Sequence, residues 1–136
     1  MNSTRDLKIK VKKKEIEEFL QEAKRLIEEN HFNVSNRDKN ASFLEKYIID
    51  ESGRKEILLG LTADDFSKVE FNNNDTPNNE YQLIYFFGKT VCLIERFTGF
   101  EHDVGIYIKM RKKDLPSLVI VISFHEQEFP VEKYKF

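Results

Sequence analysis

Two strand-like segments in the last third of the chain constrain the fold more than any other feature. Residues 104–111 alternate strictly between apolar and polar side chains, as a strand with one buried face does. The apolar set would face a core and the polar set would face outward: Ile106, Ile108 and Met110 against Tyr107, Lys109 and Arg111. Residues 118–126 form a longer apolar run that closes on Ser123, Phe124 and His125.

The two segments would bring their chemically active side chains together if they pair with each other. Tyr107 and Lys109 lie two residues apart, and so do Ser123 and His125. Side chains two residues apart share one face of a strand, so these four can share one face of a paired sheet. The sequence does not fix the register of the pairing, and the convergence is therefore a hypothesis.

The first half of the chain is typical of helices. Apolar residues recur at three- and four-residue spacing between residues 14 and 30, which predicts an amphipathic helix: Ile16, Phe19, Leu20, Ala23 and Ile27. Residues 33–37 have the chemistry of a turn. A second apolar stripe then predicts a helix that ends near Gly53: Phe43, Leu44, Tyr47 and Ile48.

Two shorter helical segments are expected next. Residues 55–60 favour a short helix with Gly60 as its stop signal. Thr62 has N-cap chemistry with Asp65 three positions on, which predicts a helical turn over residues 64–68. Lys68 would lie at the exposed end of that turn, where the helix dipole favours a cation.

The second half of the chain is typical of strands. Strand-like runs cover residues 81–87, 90–97, 104–111 and 118–124, and turns are expected at 88–89, 98–99 and 114–116. An asparagine-rich stretch over residues 72–79 predicts a surface loop before them. Helices followed by consecutive strands predict an α+β fold in which N-terminal helices pack on a C-terminal antiparallel sheet. We expect one domain over residues 1–136, mainly helical to 62 and mainly strands from 63.

The composition excludes several classes of function. The chain has 136 residues, 34% of them charged, with a net charge of −2, which argues against a polyanion binder that works by bulk charge. Any nucleic-acid contact must come from local basic clusters, such as those at residues 8–14 and 109–113. The single cysteine, Cys92, excludes an intramolecular disulfide. We expect a cytoplasmic protein, since no secretory signal or membrane-spanning run is visible.

A metal site is a weaker interpretation of the same residues. The only groupings of histidine with carboxylates are His102 with Asp103, and His125 with Glu126 and Glu128. Neither has the spacing of a known metal motif. We therefore expect no metal and no cofactor.

Four ordered segments resemble the MqsR family of toxins, in particular members from low-GC Gram-positive bacteria. They are LGLTADDFSK at residues 59–68, FGK at 87–89, IYIK at 106–109 and ISFHE at 122–126. The resemblance runs from about Leu58 to the C-terminus and includes the closing residues 129–134. It implies a RelE-like α+β fold and a metal-independent endoribonuclease that cuts messenger RNA. It also implies a cognate antitoxin, encoded beside the toxin, that holds the enzyme inactive.

The resemblance implies three functional positions in this chain. A lysine after the D-F pair, a tyrosine in the Y-[IL]-K strand and a basic residue after S-F fall on Lys68, Tyr107 and His125. Well-known members carry lysine where this chain has His125. The family's functional glutamine has no clean match around residues 85–87.

The residues themselves offer groups for RNA cleavage without a metal. The reaction must deprotonate a 2′-hydroxyl, stabilise the phosphorane and protonate the leaving 5′-oxygen. His125 is the leading proton carrier, because histidine is acid or base near neutral pH. Four cationic side chains can supply charge. Lys68 is counted with the catalytic residues, and the other three are expected to bind the substrate: Lys89, Lys109 and Arg111.

Tyr107 has three open roles. It can stack on an unpaired base, donate a hydrogen bond to a phosphate oxygen, or act as general acid if nearby cations lower its pKa. Stacking or phosphate contact is favoured. Purely structural interpretations also stay open: a strand-end His125 bonded to a carbonyl, a Tyr107 chosen for β propensity and a Lys68 at a helix end.

Two other functions compete with the ribonuclease. A non-catalytic binding or inhibitor module on a toxin-like scaffold would bind a protein partner without turning over RNA, and the low net charge favours it. A small RNA-binding regulator would bind RNA in a salt-sensitive manner without cleavage.

Overall fold

The computed structural model describes residues 9–72 and 82–136. Its helices are α1 (Lys13–Glu28), α2 (Asp38–Lys46) and α3 (Glu51–Leu59), followed by a 3₁₀ turn at Ala63–Asp65. Its strands are β1 (Phe32–Val34), β2 (Phe66–Asn72), β3 (Gln82–Ile94), β4 (Glu101–Asp114) and β5 (Ser117–Glu126). The loop predicted over residues 72–79 lies outside the described residues from position 73 onward.

The five strands form one sheet in the order β1-β5-β4-β3-β2. β1 pairs with β5 in parallel, and the other three pairs are antiparallel. Helices on the N-terminal side and a mostly antiparallel sheet on the C-terminal side confirm the predicted α+β class.

The main core lies between α1 and one face of the sheet. The apolar stripe of α1 is buried as its spacing predicts: Ile16, Leu20, Ala23, Leu26 and Ile27. On β4, Ile106, Ile108 and Met110 are at most 1% exposed and belong to the same core. The strict alternation of residues 104–111 therefore indicated the buried face of β4 correctly.

The predicted turn at residues 88–89 is wrong, because β3 runs unbroken through Gly88. The glycine serves another purpose: a Cβ at Gly88 would lie 2.6 Å from the Cβ of Val131 and 2.9 Å from Nε2 of Gln127. The C-terminal tail crosses the sheet at this point, and only a residue without a side chain leaves room for it.

The predicted second helix is in fact two helices. α2 ends before Tyr47, which forms an isolated antiparallel bridge with Glu95, and the Ile48 N–H then donates to the Ile94 carbonyl. Helix α3 starts afresh where the Asp50 carboxylate accepts from the Gly53 N–H at 2.7 Å. The apolar stripe continued past Lys46 because Tyr47 packs into the core from an extended backbone, which periodicity alone does not reveal.

The predicted helical turn over residues 64–68 is shorter than expected. Thr62 and Asp65 form the expected reciprocal cap, but the turn they cap is the 3₁₀ turn Ala63–Asp65. Phe66 already begins β2, so Lys68 lies inside a strand and not at a helix end. The helix-dipole interpretation of Lys68 is therefore wrong.

None of the helices in the described part of the chain is long and apolar enough to cross a membrane.

Candidate functional site

The face of the sheet opposite the main core, called the outer face here, carries a second and smaller apolar cluster. Ile84, Phe86 and Ile122 are buried in it, and Tyr107 and Ile120 pack against them partly exposed. This cluster comes from alternate residues of β3, β4 and β5, whose other alternate residues point into the main core. Polar and charged side chains surround it.

One row of residues runs straight across four strands of the outer face. Lys68 on β2 lies opposite Phe86 on β3, Phe86 lies opposite Lys109 on β4, and Lys109 lies opposite Ser123 on β5. The row places two lysines on either side of one aromatic ring. The Lys68 ammonium is 4.7 Å from the Phe86 ring centroid, and the Lys109 ammonium is 5.3 Å from it. Both distances are within cation–π range.

The next row brings the predicted tyrosine and histidine together. Gly88 lies opposite Tyr107, and Tyr107 lies opposite His125. The ring centroids of Tyr107 and His125 are 5.3 Å apart, and the Phe86 ring is 6.1 Å from that of Tyr107. The expected sharing of one face by Tyr107, Lys109, Ser123 and His125 is confirmed by this register.

The ring of His125 has one nitrogen engaged. Its Nδ1 is 3.0 Å from the main-chain carbonyl oxygen of Glu126. A carbonyl oxygen only accepts, so Nδ1 is the donor and the neutral ring carries its lone pair on Nε2. A carbonyl contact of this kind was expected for a structural histidine, and it leaves Nε2 as the nitrogen that can accept a proton.

Burial and neighbouring charge change the titration of two groups in the site. Burial, followed by the Arg37 charge and, more weakly, that of Lys68, lowers the pKa of Lys109, while Glu70 raises it. Burial and then the Glu70 carboxylate raise the pKa of Tyr107. The cations nearby do not lower the pKa of Tyr107, so the condition stated for its role as general acid is not met.

Lys68 is held by an ion pair on its own strand. Its ammonium is 2.7 Å from Oε2 of Glu70, and both side chains are about half exposed, at 54% and 51%. Such a pair is weak in water and is exchanged readily for a stronger anion.

The C-terminal tail covers the other half of the outer face. Gln127 lies over Gly105, with its Oε1 2.9 Å from where a Cβ would be, and its Nε2 donates to the Ile106 carbonyl at 3.1 Å. Lys133 donates to the Gly88 carbonyl beyond it. The tail therefore ends the open part of the outer face at the row of Tyr107 and His125.

The structure gathers most of the predicted site residues but not all of them. Lys68, Tyr107, Lys109 and His125 share the open part of the outer face. Arg111 lies two residues beyond Lys109 on β4, opposite Ile120. Its Nη1 is buried without a hydrogen-bond partner among the described residues.

Lys89 lies apart from the site. Its ammonium is 3.3 Å from the Gly60 carbonyl and 3.6 Å from Oδ2 of Asp65, on the side of the sheet that faces the helices. Lys89 therefore does not join the other cations expected to bind the substrate, because the continuous strand β3 turns its side chain to the opposite face from Tyr107.

Sequence reasoning missed two members of the site. Phe86 lies in the strand predicted over residues 81–87 and was not singled out, yet its ring lies beneath both lysines. Arg37, the residue before α2, acts on Lys109 from a distant part of the chain. No local pattern around Arg37 signals this approach.

No three His, Cys, Asp or Glu side chains within residues 9–72 and 82–136 come together as metal ligands would. Comparisons with protein-family models, with curated proteins and with solved structures find no match to this chain. The geometry of the outer face therefore carries the functional argument.

Proposed function

We propose that this protein is a cytoplasmic ribonuclease toxin that cleaves single-stranded messenger RNA by attack of the 2′-hydroxyl and is held inactive by a cognate antitoxin. One observation supports the proposal most strongly: the register that sets Tyr107 opposite His125 and Lys109 one position further along the same face. A histidine that can carry a proton, an aromatic ring and a cation with a lowered pKa then lie together at an open surface.

Each chemical step has a candidate group in this arrangement. The 2′-hydroxyl proton would pass to Nε2 of His125 as the 2′-oxygen attacks phosphorus. The bond from phosphorus to the 5′-oxygen would break, and that oxygen would take a proton from the Lys109 ammonium. Burial, then the charge of Arg37 and more weakly that of Lys68, lowers the pKa of Lys109, which makes this ammonium a readier acid than an ordinary lysine.

The remaining groups would bind and orient the RNA. The raised pKa of Tyr107 keeps its hydroxyl protonated at neutral pH, so it can donate to a phosphate oxygen while its ring is available to a base. Lys68 would exchange Glu70 for a phosphate, and Arg111 would add positive charge further along β4.

The test is a cleavage assay with purified protein and single-stranded RNA in EDTA. We expect cleavage to persist and the products to end in a 2′,3′-cyclic phosphate or a 3′-phosphate. Expression of the wild type should arrest growth, and expression of His125→Ala should not. Loss of cleavage in EDTA, or full cleavage by both His125→Ala and Tyr107→Ala, contradicts the mechanism.

A non-catalytic binding module is the second candidate, and the Lys68–Glu70 ion pair favours it because an engaged lysine is a weaker phosphate ligand. Glu70→Gln separates the two functions. It frees Lys68 and should raise RNA affinity in a ribonuclease, whereas a module that binds only protein should bind RNA no better than before.

A further inference from the structure

The edge of β3 that faces away from β4 is paired at both ends but not in its middle. β2 pairs with this edge only as far as Phe66 opposite Phe87, and Tyr47 pairs with it again opposite Glu95. Between Ile48 and Phe66 the chain leaves this edge to form α3 and the 3₁₀ turn. Residues 89–93 therefore have β4 on one side and, within the described ranges, no strand on the other.

Among the residues that the structure describes, the unpaired backbone groups of this edge belong to Thr90 and Cys92. The Gly88 carbonyl accepts from Lys133 and the Ile94 carbonyl accepts from the Ile48 N–H, so both carbonyls point away from β4. Residues two apart point the same way along a strand, which gives Thr90 and Cys92 the same orientation. Their N–H and C=O groups form the row of donors and acceptors that an added strand pairs with.

A cavity of about 630 Å³ lies against this edge, between β3 and α3. Its volume is within the range of protein ligand sites. The apolar part of its lining comes from both walls: Ile48, Ile49, Ile57, Val91 and Leu93. Alternate side chains of a strand added to β3 would enter this apolar space, and the others would face solvent beside Thr90 and Cys92.

The charge left free in the cavity is negative. Lys89 is paired with Asp65 at 3.6 Å, and the Arg96 guanidinium donates to main-chain carbonyls at residues 44, 45 and 47. Two carboxylates of the lining, Asp50 and Glu56, are exposed and make no ion pair with any described residue, so they outnumber the one unpaired cation, Arg96. A basic occupant is therefore favoured over an acidic one.

We propose that the β3 edge at Thr90 and Cys92 binds an extended segment of a partner protein, bearing lysine or arginine, as an added antiparallel strand. The antiparallel direction of the added strand is inferred from the two segments that already pair with this edge of β3, since β2 and Tyr47 are both antiparallel to β3. The gap from Gly88 to Ile94 spans roughly 20 Å at the rise of an extended strand, which is room for about five residues. This site shares no residue with the RNA surface and does not depend on catalysis.

The test uses a synthetic peptide, Lys-Val-Thr-Val-Thr-Val-Lys with blocked ends, titrated into isotope-labelled full-length protein. We expect the amide signals of Thr90, Cys92 and Ile57 to shift, and those of Tyr107 and His125 to stay. Thr90→Pro removes an outward N–H without removing a β3–β4 bond and should weaken binding about tenfold. Thr90→Ala keeps the N–H and should bind like the wild type.

Glu56→Lys provides a second variant at an exposed helix position, should Thr90→Pro lower the folded fraction. It should weaken binding of the basic peptide at low salt. The proposal is overturned if the peptide does not bind, if it shifts signals elsewhere, or if Thr90→Pro and Glu56→Lys both keep full affinity. A dimer that sedimentation detects and that Thr90→Pro dissolves would also overturn it, because a second copy would then occupy the edge.

Discussion

Tyr107 and His125 lie directly opposite each other on β4 and β5, with their ring centroids 5.3 Å apart. The pair lies at the boundary between the part of the outer face that the C-terminal tail covers and the part that stays open. A base stacked on Tyr107 would therefore lie beside the ring of His125.

Replacing His125 should separate RNA binding from RNA cleavage. His125→Ala removes the proposed base and should lower the cleavage rate by about 10²- to 10⁴-fold, while the binding affinity changes little. Single-turnover cleavage and filter binding measure the two quantities. His102→Ala is the matched control, because His102 is exposed and bonded to Glu95 away from the site. An equal loss of cleavage in both variants contradicts the role of His125.

Lys109→Arg tests whether Lys109 gives up a proton or only supplies charge. Arginine keeps the positive charge but does not deprotonate in proteins. We expect RNA affinity within about threefold of the wild type and cleavage reduced by at least about tenfold, since general acid catalysis requires a proton to leave. Lys112→Arg on the same strand, exposed and outside the site, is the control. Full cleavage by Lys109→Arg would limit Lys109 to an electrostatic role.

The phenol of Tyr107 should ionise above the ordinary tyrosine pKa of about 10. Because folding raises this pKa, the associated stability is fully present below the ordinary value and is lost as pH rises through the folded value. Glu70→Gln removes the second of the two causes and should bring the pKa of Tyr107 part of the way back. A pH titration followed by the Tyr107 ring signals measures both effects. Ionisation below pH 10 would contradict the assignment.

Alternation and helical spacing predicted much of the fold because they report burial directly. The stripe of α1 and the buried face of β4 each belong to one element with one buried side, and both were predicted correctly. The split between α2 and α3 could not be read in this way. Tyr47 is buried from an extended backbone through its bridge to Glu95, and the spacing of apolar residues around it still resembles a helix.

The site was predictable where its members share paired strands and not where they come from elsewhere. Tyr107 and His125 follow from period two on β4 and β5. The position of Lys68 could be predicted only if β2 was recognised. The capping chemistry of Thr62 indicated a helical turn instead, although β2 begins at Phe66. The position of Arg37 depends on how α2 is attached beside β5, where the side chain of Asn40 bonds Ile122 O and Phe124 N. Contacts so distant in sequence leave no local pattern.

Replacing Gly88 tests whether the C-terminal tail packs against the sheet. A Cβ at position 88 would lie 2.6 Å from Val131, so Gly88→Ala forces the tail or the strand to shift and should cost about 1–3 kcal/mol of unfolding free energy. Gly60→Ala is the control, since its Cβ would meet nothing closer than 3.5 Å. Urea unfolding measures both variants. Val131→Ala cannot relieve the clash, because the nearest atom is the Cβ that alanine retains, whereas Val131→Gly should restore part of the loss. A Gly88→Ala protein as stable as the wild type would show that the tail does not rest on β3.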